Sequence, residues 1–292
     1  MGPTASGKSE LAMAVAATLG DVEIISADSM QVYRGMDLGT AKPSPAARRL
    51  VPHHLIDVVG PHEDWDVARF VEHARAAVAE VEARGHRPLL VGGTGLYVHS
   101  LIDGFEIPGR WPEVVAELQQ APTHQLYSQL CKLDPEAAKK IDPGNRRRTV
   151  RALEVVLGSG RPFSSFGPGV GAFAATDWSL AGVWLPRAVV NARASERLER
   201  MLQAGLVEEV RELAQRGMSR TARQALGYKE ILEYLEGRDS LQEAIEKVRR
   251  HTREFARRQR MWWRRDPRTR WFGSARDPQE VLPALVVNWS HG

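Results

Sequence analysis

The sequence predicts an α/β fold: a parallel sheet flanked by helices, interrupted by a largely helical insertion. Three observations carry this. Continuously apolar short runs alternate with helical patterns over the first hundred residues. Uninterrupted apolar strands are buried on both faces, as parallel strands are. Two of the connections are glycine turns that lead into a helix. Finally, residues 104–175 carry helical stretches broken by Pro and Gly, with no strand pattern.

Taken in order, Glu10–Leu19 (ELAMAVAATL) reads as a helix stopped by Gly20, and Val22–Ser26 (VEIIS) as a buried strand. Asp66–Ala83 is helical and ends near Gly85. Arg87–Val91 (RPLLV) is a second buried strand, and Leu96–Ile102 a helix. After the insertion, Leu180–Leu185 reads as a strand. Helices dominate from about 188 to 265, and Thr269–Phe272 is a last strand. The predicted organisation is a core of residues 1–103 and 176–292 around a helical insertion of 104–175. No internal repeat appears.

Composition narrows the class. The 292 residues suit about two domains. With 43% hydrophobic and 26% charged residues, the chain is ordinary for a folded protein, which argues against disorder. No apolar run approaches a membrane span, and no secretory leader pattern opens the chain. A single cysteine, Cys131, excludes a disulfide framework and a multi-cysteine metal site. The expected setting is the cytoplasm. Lys and Arg outnumber Asp and Glu by 40 to 36, and the pI is about 9.4. That balance permits a nucleic-acid partner, so the placement of the charges decides.

Gly2-Pro3-Thr4-Ala5-Ser6-Gly7-Lys8-Ser9 matches G-x-x-x-x-G-K-[ST], the phosphate loop. Its glycines let successive backbone N–H groups turn toward one anion, and the helix behind it adds a favourable dipole. Lys8 is suited to neutralise terminal phosphate oxygens, and the Ser9 hydroxyl to ligate Mg²⁺. A phosphate loop normally follows a central strand, and only Met1 precedes it here. The expectation is a native start upstream that supplies this strand.

Asp28 closes the strand VEIIS. A carboxylate at the carboxyl end of a parallel strand faces the ligand crevice, where it serves as a Mg²⁺ ligand, a general base or a turn cap. The stretch Gln31 to Pro43 is polar and glycine-punctuated, as a binding loop is. Gly92-Gly93-Thr94-Gly95 repeats the strand, glycine turn and helix arrangement. It reads either as a second anion-facing loop or as a tight connection.

Two segments concentrate positive charge. Asn145–Arg151 holds four arginines in seven residues, and Lys247–Arg270 holds eleven basic residues against two acids. On a helix, Arg249, Arg253, Arg257, Arg260 and Arg264 share one face. Val248, Thr252, Phe255, Gln259 and Trp262 form another that packs inward. The guanidinium row suits a phosphate backbone, and an ion-paired solvated face is the alternative.

The series GPTASGKS, SADSMQVYRGMDLGTAKP, HHLIDV, LLVGGTGLYV and RRRTVRALEV, with Gln224-Ala225-Leu226-Gly227-Tyr228-Lys229 and Arg257-Arg258-Gln259-x-x-Trp262, resembles the tRNA dimethylallyltransferase family. The likeness covers nearly the whole chain. It implies a P-loop NTPase-like core that transfers the dimethylallyl group of dimethylallyl diphosphate to the exocyclic amine of adenosine 37 in tRNA. By that resemblance Asp28 is acceptor and general base, and Thr94 lies between diphosphate and target base. Arg197 sits near the diphosphate, with Arg193 its nearest rival. The phosphate loop would hold the donor, with Mg²⁺ as cofactor. The segments expected at tRNA are Asp28, Ser29, Met30 and Gln31; Arg147, Arg148, Thr149, Val150 and Arg151; and Gln224, Ala225, Leu226, Gly227, Tyr228 and Lys229. The implied partner is the tRNA anticodon stem-loop, and the implied state a monomer. A P-loop kinase, a prenyltransferase for a free nucleotide and a non-catalytic RNA-binding protein are the competing readings.

Overall fold

The computed structural model describes residues 1–167, 169 and 171–290. The chain divides into two compact units, residues 1–102 with 175–292, and residues 103–174.

The first unit begins with α1 (Lys8–Leu19), two residues earlier than the apolar pattern alone suggests, because Gly7 takes the left-handed cap. Gly20, also left-handed, ends it as expected. β1 (Val22–Ser26) is buried along its whole length. It pairs in parallel on one side with β2 (His53–His54) and on the other with β3 (Arg87–Val91), giving the order β2-β1-β3. Two-residue β2 carries no period-2 pattern for sequence reading to find. The short helix α2 (Pro45–Leu50) precedes β2, and α3 (Val67–Ala83) and α4 (Gly95–Ile102) flank β3. Asp66 caps α3, accepting from the Ala68 and Arg69 N–H groups.

The second unit is helical, with no strand among its described residues: α5 (Pro112–Leu118), α6 (Thr123–Leu133), α7 (Pro135–Lys140) and α8 (Arg146–Ser159). Leu126, Leu130 and Leu153 are fully buried at its centre. Buried Asp134 caps α7 and accepts from the Ser164 N–H and hydroxyl, so its charge is satisfied inside the unit.

The first unit resumes with β4 (Ala181–Trp184), α9 (Arg187–Gln203), α10 (Leu206–Arg216), α11 (Tyr228–Leu235), α12 (Leu241–Trp263), β5 (Arg270–Gly273) and α13 (Leu282–Ser290). β4 and β5 form a separate parallel pair. Where a strand was expected before the phosphate loop, one residue bridges to β4. The Met1 amine donates to the Ala181 carbonyl at 2.7 Å, and Val183 N–H donates to the Met1 carbonyl at 2.9 Å.

The amino end of the main sheet is locked by buried Glu23. Arg84 grips its carboxylate with two hydrogen bonds, and His54 and His86 add one each. The Arg84 guanidinium and the two imidazoles hold the carboxyl down to about 2, against the desolvation that pushes it up. That lock leaves the opposite, carboxyl end of the strands for the site.

Candidate active site

The phosphate loop turns through two left-handed residues, Ala5 (φ 60°) and Gly7 (φ 82°). Glycine accepts that conformation freely, while Ala5 stores backbone strain of about 1 kcal/mol. Gly7 is also required sterically, since a Cβ there would lie 2.3 Å from Pro278 Cγ. The loop thus delivers Lys8 and Ser9 at the amino end of α1, where the helix dipole favours an anion.

Lys8 is half-buried. Desolvation is the largest influence on its ammonium and pulls it down to about 8. The Asp28 carboxylate opposes the fall, and the Arg197 guanidinium adds to it. The Asp28 carboxylate thus acts on both Lys8 and Arg197, and Arg197 on Lys8, so the three charges lie close enough to share one electrostatic environment. Burial likewise lowers Arg197, with Asp28 holding it up. Asp28 Oδ1 accepts from the Met30 N–H at 2.9 Å and the Gln31 N–H at 3.4 Å. One carboxylate oxygen therefore makes the turn cap that the sequence allows, and Oδ2 has no hydrogen-bond partner among the described residues. Thr94 stands beside this turn, its hydroxyl accepting from the Ser29 N–H at 3.3 Å.

The two arginines of α9 take different jobs. Arg197 Nη2 donates to the Thr4 hydroxyl at 2.6 Å. Arg193 donates to the Ala5 carbonyl at 3.2 Å and pairs with Glu10 at 2.9 Å. Its guanidinium is committed to a carboxylate and a loop carbonyl, so it buttresses the loop from outside. Sequence reasoning missed Gln259 as more than packing. Its amide is buried between the two glycine loops, accepting from the Thr4 N–H at 2.7 Å and donating to the Gly93 carbonyl at 2.9 Å. The available signal was a glutamine inside a stripe read as apolar, since a buried amide demands partners.

The expected RNA-facing segments divide between surface and interior. Arg147, Arg148, Gln224 and Lys229 are exposed, and Ser29, Met30 and Leu226 half-exposed. Thr149, Val150, Ala225, Gly227 and Tyr228 are buried within those segments. Tyr228 donates to Glu209 at 2.6 Å, and Glu209 also accepts from the Asp37 and Leu38 N–H groups. Burial and the Glu209 charge push the Tyr228 phenol up, which keeps it protonated for that bond. Arg151 donates to the Pro108 and Gly109 carbonyls and pairs with Glu154, so it is structural. The Gln31 amide is likewise occupied: it accepts from the Ser26 hydroxyl and donates to the Thr40 carbonyl. The polar stretch it opens is pinned rather than loose, with the Lys42 ammonium buried against Asp37 and Asp57.

The arginine row on α12 is also less uniform than its spacing suggests. Arg249 pairs with Glu199 and Glu246, and Arg260 donates to the Leu185 carbonyl. Arg253 and Arg257 remain exposed without an acidic partner among the described residues. On the inward stripe, Phe255 is exposed, while Ala256 and Trp263 are buried as the helix turns its face.

Fold and site together define a class: a P-loop α/β protein whose anion loop faces an acidic strand end. Within that class, the chain belongs to the IPP transferase family, whose model matches residues 31–266. It is 49% identical over 282 residues to the tRNA dimethylallyltransferase of Kineococcus radiotolerans, covering 93% of this chain and 88% of that one. Among solved structures it is similar to the full-length tRNA isopentenylpyrophosphate transferase of Bacillus halodurans. The TM-score there is 0.73 at 36% identity, over 99% of this chain and 94% of that one. A eukaryotic dimethylallyltransferase solved acting on tRNA gives a TM-score of 0.79 at 26% identity, over 96% of this chain and 74% of that one.

Proposed function

We propose that this enzyme transfers the dimethylallyl group of dimethylallyl diphosphate to the exocyclic amine of adenosine 37 in the tRNA anticodon stem-loop. The products are N6-isopentenyladenosine and diphosphate. One observation carries the reading: a carboxylate with one oxygen unpaired among the described residues stands near Lys8 and Arg197 beside a phosphate loop. In the reaction the bond from the allylic carbon to the diphosphate oxygen breaks and a bond from that carbon to N6 forms. Lys8 and Arg197 neutralise charge gathering on the leaving diphosphate. Asp28 Oδ2 accepts the amine hydrogen bond and then the proton, orienting a nitrogen whose lone pair is poorly available. Thr94 stands beside the Asp28 turn, its hydroxyl accepting from the Ser29 N–H, and in this reading it lies between the diphosphate and the target base.

Mg²⁺ fits as cofactor on the chemistry of the donors present. Among the described residues no cluster of three His, Cys, Asp or Glu side chains is disposed to hold a metal, while the Ser9 hydroxyl is exposed at the loop. Mg²⁺ commonly takes few protein ligands and completes its shell with phosphate oxygens and water. Bound through Ser9, it would supply further charge neutralisation to the diphosphate.

The tRNA partner is read from the unpaired surface cations, and the enzyme as a cytoplasmic monomer. No helix among the described residues is long and apolar enough to cross a membrane. If Arg147, Arg148, Lys229, Arg253 and Arg257 all meet phosphates, tRNA affinity falls on the order of a hundredfold between 50 and 200 mM salt. Filter binding across that range checks it, and a flat response removes these residues from the interface.

The function itself is tested by incubating protein, Mg²⁺ and radiolabelled dimethylallyl diphosphate with unmodified tRNA, and in parallel with AMP. Label in tRNA alone is the expected result. Label in AMP would move the acceptor to a free nucleotide, and ATP hydrolysis without label in either would favour the kinase reading.

A further inference from the structure

We propose that Gln259 is a positioning residue. Its amide sets the spacing between the loop that takes the diphosphate and the loop that carries Thr94. This rests on the reaction proposed above, and it adds a residue from the basic C-terminal helix α12 to the machinery of that reaction.

The two loops are remote in sequence, and Gln259 joins them with both ends of one rigid planar group. Thr4 N–H can only donate and Gly93 C=O can only accept, so the amide orientation is dictated: Oε1 toward Thr4 at 2.7 Å, Nε2 toward Gly93 at 2.9 Å. The residue is buried, so water does not readily replace either bond. The approach is built into the loop. A Cβ on Gly93 would lie 2.3 Å from Gln259 Nε2, so only glycine leaves room for the amide. One turn along α12, Trp262 packs closely against Gly95, where a Cβ would lie 2.0 Å from its Nε1. The helix therefore holds the Thr94 loop on both sides of Thr94.

The bridge continues to the carboxylate. Gly92 packs against the Ala27 backbone, where a Cβ would lie 2.3 Å from the carbonyl oxygen, and Thr94 accepts from Ser29 N–H. Ala27 and Ser29 flank Asp28. On the other side, Thr4 is held twice, by Gln259 on its N–H and by Arg197 on its hydroxyl. A continuous path of hydrogen bonds and backbone contacts thus runs from the anion loop through Gln259 to Asp28. Group transfer is sensitive to that separation, because a misplacement of about 1 Å can cost about a hundredfold in rate.

The test compares Gln259→Leu and Gln259→Glu in the full chain. Hydrogen exchange is followed in residues 2–9 and 92–95 with and without inorganic diphosphate, alongside steady-state transfer to tRNA. In the natural chain, diphosphate slows exchange in both loops. In Q259L it slows exchange in residues 2–9 only, and kcat falls about tenfold to a hundredfold while KM for tRNA stays within about twofold. Q259E gives the distinguishing signature. Ionised, its second oxygen opposes the Gly93 carbonyl; protonated, it donates to it. Burial raises the pKa of such a carboxyl, so the Q259E rate relative to the natural chain climbs as pH falls from 8 to 6, and Q259L shows no such recovery.

Protection of residues 92–95 surviving in Q259L, or a Q259E ratio flat with pH, would overturn the proposal. If both loops respond to diphosphate in the natural chain but no tRNA is labelled, the proposed reaction fails while the coupling stands. If diphosphate leaves residues 2–9 unprotected in the natural chain, the phosphate-loop assignment and the coupling fall together.

Discussion

Asp28→Ala and Asp28→Asn each lower kcat for tRNA prenylation by about a thousandfold, with tRNA affinity changed less than about threefold. The size follows from the two jobs assigned to one side chain. Oδ1 is spent on the Met30 and Gln31 N–H groups and shapes the turn at the end of β1. Oδ2 is the oxygen left to meet the incoming amine. Asn keeps an acceptor for the turn but cannot take a proton, so it separates turn-making from base catalysis. Single-turnover transfer with enzyme in excess, beside equilibrium binding of the same tRNA, checks the result. Parallel loss of binding and rate would make Asp28 chiefly a docking residue. Full activity in D28N would assign the proton to another group.

The legible parts of this molecule are those whose signal is local. The phosphate loop and the strands β1 and β3 are written in contiguous residues, because a left-handed turn favours glycine and a strand inside a parallel sheet favours an apolar run; β1 is buried throughout, whereas β3, expected to be buried as well, buries only Leu89. Asp28 was legible as a strand-end carboxylate, although its base, metal and capping roles stayed unresolved by local sequence. What local pattern could not give is orientation. Arg146, Arg147, Arg148 and Arg151 look alike in the chain. In the structure Arg146 donates to the Ala121 carbonyl and Arg151 to those of residues 108 and 109, which leaves Arg147 and Arg148 outside. Tyr228 is polar at one end, and only the distant Glu209 explains why it turns inward. Gln259 joins residues more than 160 positions away on either loop, a relation that no spacing rule carries.

Lys8→Ala lowers kcat/KM for the diphosphate donor by about a hundredfold to a thousandfold, the cost of removing one preorganised charge from a leaving anion. The accompanying pH profile separates this role from mere support of the loop. Burial and the neighbouring Arg197 bring the Lys8 ammonium from its usual 10.5 to about 8 in the free protein. Below pH 8 it is therefore charged and ready for diphosphate, and as pH rises through 8 it loses the proton and its attraction. The natural chain should show kcat/KM for the donor falling on the alkaline side with a midpoint near 8. A bound diphosphate favours the charged form, so kcat at saturating donor holds to higher pH. K8A loses the alkaline limb along with the rate. Lys8→Arg, charged throughout this range, loses the limb while keeping part of the affinity. A K8A profile that retains the limb would place the titrating group elsewhere. Unchanged donor kinetics would remove the phosphate loop from the mechanism, and with it the reason that α1, Asp28 and Arg197 converge on one anion.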